Sequence, residues 1–205
     1  MDDLQELSSE VLNKDATPNN KGSRRSFFNE IIRLTIIIVV VVLPIRMFIA
    51  KPFLVSGSSM LPTFENGEYL IIDEISYRFE NPKRGEVIVF KYPEDKERFL
   101  IKRIVALPRE TLKIGPEGIF IINSENPKGF LLDERYVTYD IVPIGTLTLT
   151  LKEDEYFVMG DNRPASLDSR IWGPLSKDFI VGKPFVRLFP PQRLDFFPGQ
   201  EVTEN

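Results

Sequence analysis

RFLIKRIVALP, residues 98–108, is the stretch whose reading decides the fold. Its β-branched Ile and Val residues and its stop at Pro108 read as a strand. Alternation puts Leu100, Lys102 and Ile104 on one face and Ile101, Arg103 and Val105 on the other. Whichever face is buried therefore takes a cation with it. A buried lysine is costly unless paired or neutral, and burial lowers its pKa. Such a strand is either an edge whose cations reach water or part of a site that uses a neutral amine.

Outward from this strand the same style continues. Tyr69–Ile75, Glu86–Tyr92, Gly118–Ile122, Thr146–Lys152, Tyr156–Met159 and Phe185–Phe189 are short apolar runs broken by Gly, Pro and Asn. TLTLTLK (146–152) alternates strictly, as a half-solvated strand does. Sixteen prolines disfavour long helices. The expectation is a mainly β domain of antiparallel sheets. Its core spans 51–108 and 152–198, a small β insert spans 109–151, and a tail spans 199–205.

Before this domain the chain changes character. Residues 1–26 are polar and aperiodic, and are expected to form a disordered tail. RLTIIIVVVVLPIRMFIAKPF (33–53) follows. Its uncharged part, Leu34–Ile45, is about twelve residues, short of the roughly twenty that a span needs. Extended to 27–50 it is long enough, with Glu30, Arg33 and Arg46 near the ends, where long Arg stems reach the interface. One transmembrane helix over 27–50 is expected; a buried β-strand is the alternative. Lys21, Arg24, Arg25 and Arg33 place the N-terminus in the cytoplasm and the β domain outside.

Two absences restrict the chemistry. The 205 residues contain no Cys and no His. Thiol nucleophiles, thiolate metal sites, the Ser-His-Asp triad and His-ligated zinc are all excluded. A hydrolase built on this chain must take its base from Lys, Asp, Glu or Tyr. Composition alone leaves an all-oxygen metal site open, but no cofactor or metal is expected. The net charge of −4 argues against a nucleic-acid partner.

Two segments besides Arg98–Pro108 carry candidate chemistry. PFLVSGSSMLPTFENGEYLI (52–71) sets serines beside Gly57, where a tight bend can expose a hydroxyl and aim amide N–H groups inward. YFVMGDNRPASLDSRIWGP (156–174) ends a strand at Met159. It then crowds Asp161, Asn162, Arg163, Ser166, Asp168, Ser169 and Arg170 into one polar loop, enough to build a rigid support. Read alone, each is equally a plain turn.

Together these segments resemble the type I signal peptidases. SSMLPTF (58–64) is similar to that family's nucleophile box, with Phe64 as a departure. RGEVIVFKYP (84–93), IKRIVALPRE (101–110) and GDNRPASLDSRIWG (160–173) are similar to its next three boxes, and all four come in family order downstream of one apolar segment. Ala106, Arg109, Glu110, Pro164 and Ala165 depart from the family pattern, none at a dyad position. The resemblance implies a membrane-anchored signal-peptidase-like fold and a serine endopeptidase cleaving signal peptides from preproteins after small residues. It implies Ser59 as nucleophile, Lys102 as general base, Ser166 as the residue that aims the lysine, and the Gly57 and Ser59 N–H groups as oxyanion hole. Arg103, Asp161, Asn162, Arg163, Asp168 and Arg170 would be structural support. Phe53, Val55, Met60 and Ile101 are expected to wall shallow substrate pockets. Expected partners are signal peptides of secretory preproteins and the lipid bilayer of the plasma membrane. Another Ser/Lys peptidase, or a non-catalytic anchored β-domain, remains as an alternative reading.

Overall fold

The computed structural model describes residues 21–42, 50–137 and 146–200. The expected tail over 1–20, residues 43–49 of the expected span, and 201–205 lie outside the described residues. The chain divides after Ile45 into two units.

In the first unit, helix α1 runs Lys21–Ile37 and continues as a π-helical turn, Ile38–Val42. The helix thus starts inside the stretch expected to be a disordered tail. Phe27, Ile32, Leu34, Ile36 and Val40 are all more than half exposed. Among the described residues no helix is long and apolar enough to cross a membrane. The expected helix also ends early, because Ala50 already belongs to the first strand.

The second unit is built from antiparallel β-sheets. Strands β1 (Ala50–Leu54), β2 (Tyr69–Asp73), β3 (Val87–Tyr92), β4 (Asp95–Ala106), β9 (Glu155–Met159), β10 (Leu175–Ser176) and β11 (Ile180–Phe189) form one sheet. Their order is β1-β2-β11-β3-β4-β9-β10, with β12 (Asp195–Phe196) added to β11. A second sheet, ordered β7-β6-β5-β8, holds β5 (Thr111–Gly115), β6 (Gly118–Ile122), β7 (Phe130–Leu131) and β8 (Leu147–Thr150). Among the described residues of this unit the one α-helix, α2 (Ser169–Trp172), is a single turn capped by Asp168, whose carboxylate accepts from the Arg170 N–H.

Three apolar clusters hold these strands. Val55, Met60, Phe64, Leu70, Ile72, Val87, Val89 and Ile101 form one. Ile88, Phe90, Ile104, Tyr156, Val158 and Leu175 form another. Both draw on alternate residues of β3, whose VIVF run is buried on its two faces. A strand covered on both sides loses the simple alternation of a half-exposed one. β8 keeps its alternation, with Leu147 and Leu149 packed against the third cluster, around Leu112, Ile121 and Phe157.

The same double cover applies to β4. Ile101–Ala106 are buried without interruption, so both cations go inside: Lys102 is 2% exposed and Arg103 is 1% exposed. Alternation alone implied that only one of the two would be buried. β4 pairs β9 from Arg103 to Ala106, while its other edge pairs β3. Lys102 is thus the first β4 residue beyond the β9 ladder, at the point where the chain leaves Met159 for the polar loop.

Candidate active site

The approach of Ser59 follows from local turns. Gly57 takes φ +102, a conformation side-chain-bearing residues rarely adopt, and lets the chain turn out of β1. Leu61 N–H then donates to Ser58 O and Phe64 N–H to Met60 O, winding one helical turn just after the serine. Phe64 is fully buried and anchors that turn, a contribution of about 2 kcal/mol. Asn162 closes the arrangement from the other side: its N–H donates to Ser59 O and its side-chain amide to Ser58 O, both at 3.0 Å.

Lys102 Nζ and Ser59 Oγ lie 2.7 Å apart, and Nζ also donates to the Ile101 carbonyl at 2.8 Å. Ser59 is half-buried and Ser58 exposed. Burial is the main force on the amine and pushes its pKa down from 10.5 to about 8. The Arg98 charge adds to this shift, while Asp168 and Asp161 oppose it. Protonated, the ammonium donates to Oγ; neutral, it accepts the hydroxyl proton over the same distance. At pH near 7.4 roughly a fifth of the amines are neutral, against about one in a thousand for a free lysine.

Arg103 is the hub behind this pair. A guanidinium has five N–H groups, and here each has an acceptor. Nε and Nη2 donate to the two Asp161 oxygens at 2.9 and 2.7 Å, Nη1 donates to Gly85 O and Gly199 O, and Nη2 reaches Thr63 Oγ1 at 3.5 Å. The Tyr136 ring lies under its Cζ at 4.1 Å. Thr63 donates to Asp161 at 2.5 Å, which ties the serine turn to the polar loop. In that loop Asp168 accepts from the Gly160 N–H and from Arg170, and Arg170 also donates to Arg163 O. Arg163 donates to Gly160 O and pairs with Glu134. The expected supports thus fall into three hydrogen-bonded groups along one loop: Arg103 with Asp161, Arg163 with Asp168 and Arg170, and Asn162 on the Ser58 and Ser59 carbonyls.

Two expected contacts are not made in this geometry. The Gly57 N–H does not stand free for an oxyanion; it donates to the Asn66 side chain at 2.9 Å. Among the described residues the Ser59 N–H has no acceptor. Ser166 does not bond the lysine amine, whose partners are Ser59 and Ile101. The Ser166 hydroxyl is buried with no partner and packs on Gly160, where an added Cβ would fall 2.3 Å from Oγ and 2.4 Å from Ser59 O. The expected pocket walls do come together: Val55, Met60 and Ile101 share one cluster and Phe53 packs against it. They form a filled floor rather than open walls, since Met60 is 1% exposed.

The sequence reading missed Thr63, Glu134, Gly160, Asn66 and Gly199. Thr63 and Gly160 lie inside the quoted motifs, where only their neighbours were singled out. Glu134 sits 29 residues from its arginine, and no local pattern marks it. Gly199 was read as tail and is instead held by Arg103.

Comparison with known proteins bears on this geometry. The family described as "Signal peptidase, peptidase S26" matches residues 28–189. A probable signal peptidase I-1 of Synechocystis is 33% identical over 174 residues, covering 82% of this chain and 85% of its own. Signal peptidase I of Leptolyngbya laminosa is 36% identical, over 76% of this chain and 77% of its own. Signal peptidase I V of Bacillus subtilis is 32% identical, over 72% and 90%. With a match across most of the chain, and a buried lysine within hydrogen-bonding reach of a serine, this protein belongs to the signal peptidase family, peptidase S26.

Proposed function

We propose that the chain is a membrane-anchored endopeptidase that removes signal peptides from exported preproteins, with Ser59 as nucleophile and Lys102 as base. The observation that carries this reading is the 2.7 Å approach of a buried, pKa-lowered amine to a hydroxyl on a tight turn. Neutral Lys102 takes the Ser59 proton as Oγ attacks the scissile carbonyl. The developing oxyanion faces the Ser59 N–H. Lys102, now an ammonium, protonates the leaving amine, and the acyl-enzyme remains. Neutral Lys102 then draws a proton from water as the water oxygen attacks the ester, and returns it to Ser59 Oγ as the acid product leaves. Ser166 supplies a second oxygen for the ammonium once Oγ is acylated, which gives its unpartnered hydroxyl a use.

Substrate fits as an extended strand. β4 lacks a β9 partner from Asp95 to Lys102, and β1 has β2 on one side only. The Phe53 and Phe99 rings meet edge to face at 6.2 Å, bringing these two edges close. A peptide adding there would rest its alternate side chains on the filled floor of Val55, Met60 and Ile101, which favours residues as small as Ala on both sides of an intervening position. The apolar α1 face and the LPIRMFIA sequence after it support an anchor, with the basic N-terminal side cytoplasmic and the β unit outside.

Cleavage of a purified preprotein tests the reading. Ser59→Ala and Lys102→Ala each lose activity by at least about a thousandfold while staying folded. Lys102→Arg fails equally, because a guanidinium does not act as a base. Substantial cleavage by Lys102→Arg would overturn the assignment.

A further inference from the structure

The C-terminal stretch returns to the nucleophile turn and grips it at three points. Arg193 sits in a 3-10 turn after β11. Its guanidinium forms ion pairs with Glu65 and with Glu68, the latter at 3.0 Å, and reaches Pro62 O and Thr63 O at 3.4 and 3.5 Å. β12 then pairs with β11, Val186 opposite Phe196 and Arg187 opposite Asp195. The chain finally turns sharply. Phe197 takes φ +57 and Gly199 φ +76.

A phenylalanine at positive φ is strained and persists only where its surroundings hold it. Here the Phe197 N–H donates to Phe185 O at 2.8 Å and the two rings meet edge to face at 5.1 Å. The turn delivers the Gly199 carbonyl to Arg103 Nη1 at 2.6 Å. It also seats Gly199 against the turn after Ser59: an added Cβ would fall 2.8 Å from Phe64 and 3.1 Å from Thr63.

These contacts converge on Pro62–Glu68 and on Arg103, the residue next to Lys102. From them we infer that Arg193 and Gly199 are positioning residues, and that residues 193–199 form a clamp holding Ser59 at its distance from Lys102. The inference rests on the dyad reading above. The clamp touches neither substrate nor the reacting atoms. Its loss leaves binding alone and misplaces the serine, so the cost falls on kcat.

The experiment compares Gly199→Ala, Arg193→Gln and Arg193→Lys in the full-length protein, with cleavage kinetics on a purified preprotein and folded fraction by near-UV circular dichroism. Gly199→Ala and Arg193→Gln, corrected for folded fraction, lose about tenfold in kcat with KM within about twofold. Arg193→Lys, which keeps a cation for Glu65 and Glu68, recovers most of the loss. Unchanged kcat in either loss variant, a loss that only tracks unfolded protein, or no recovery by lysine overturns the clamp. If Gly199→Ala fails to fold, the two Arg193 variants decide. Ser59→Ala and Lys102→Ala are run alongside: activity surviving there overturns the dyad itself, whereas their inactivity beside normal clamp variants overturns only the clamp.

Discussion

An ammonium on Lys102 has the Ile101 carbonyl and Ser59 Oγ as acceptors and forms no ion pair among the described residues. Desolvation therefore prevails over the two aspartates, and the pKa falls to about 8. The base works only without its proton, so the sign is fixed. Below about pH 8 kcat/KM falls roughly tenfold per unit, and above it levels off. A pH–rate profile between about pH 6 and 10 checks this; a limb near the ordinary lysine value of 10.5, or none at all, contradicts it. At this scale the sequence shows residue types more readily than partners. Lys102 stands out because a charge interrupts an apolar run, and Ser59 because a motif surrounds it. That Asn66 takes the Gly57 N–H was hidden, since a loop asparagine gives no sign of where its oxygen points. Ser166 was recognised by motif, but that its hydroxyl stands without a partner, clear of the lysine's bonds to Ser59 and Ile101, needed distances that only the fold supplies.

Strands β2, β3, β4, β6, β8, β9 and β11 were legible because each contains a short apolar or alternating run with Gly, Pro or Asn near one end. β7, β10 and β12 have two residues each and carry no period to detect. The polar loop after β9 was legible as a dense cluster, whereas its tie to the segment after β7 was not, because Glu134 lies 29 residues from Arg163. That tie has a measurable weight. Arg163 and Glu134 are both nearly buried, at 3% and 8% side-chain exposure. Glu134→Gln leaves a buried guanidinium without its carboxylate and costs about 3 kcal/mol of stability. Urea unfolding measures it. The Arg109–Glu153 pair is the contrast: its side chains are 72% and 79% exposed, and Arg109→Gln should leave the midpoint where it was.

For the whole chain, the proposed membrane anchor is the claim to test. Full-length protein should sediment with membranes, resist a high-salt wash and come off in detergent; release by salt alone would mean that charge, not apolar burial, holds it there. Among the described residues the sheet stops at β1, a strand with one neighbour. An unfinished strand is a template, and a second copy of the chain is as able to pair with it as a passing peptide. Pro52 withholds a backbone donor in its middle, and Lys51, 62% exposed, sets a charge beside it. Pro52→Val would restore the missing donor and raise β-propensity. The expected result is concentration-dependent self-association of detergent-solubilised protein on size exclusion, where the parent chain elutes at one position. An open edge of this kind is thus also a route to aggregation, which one proline opposes.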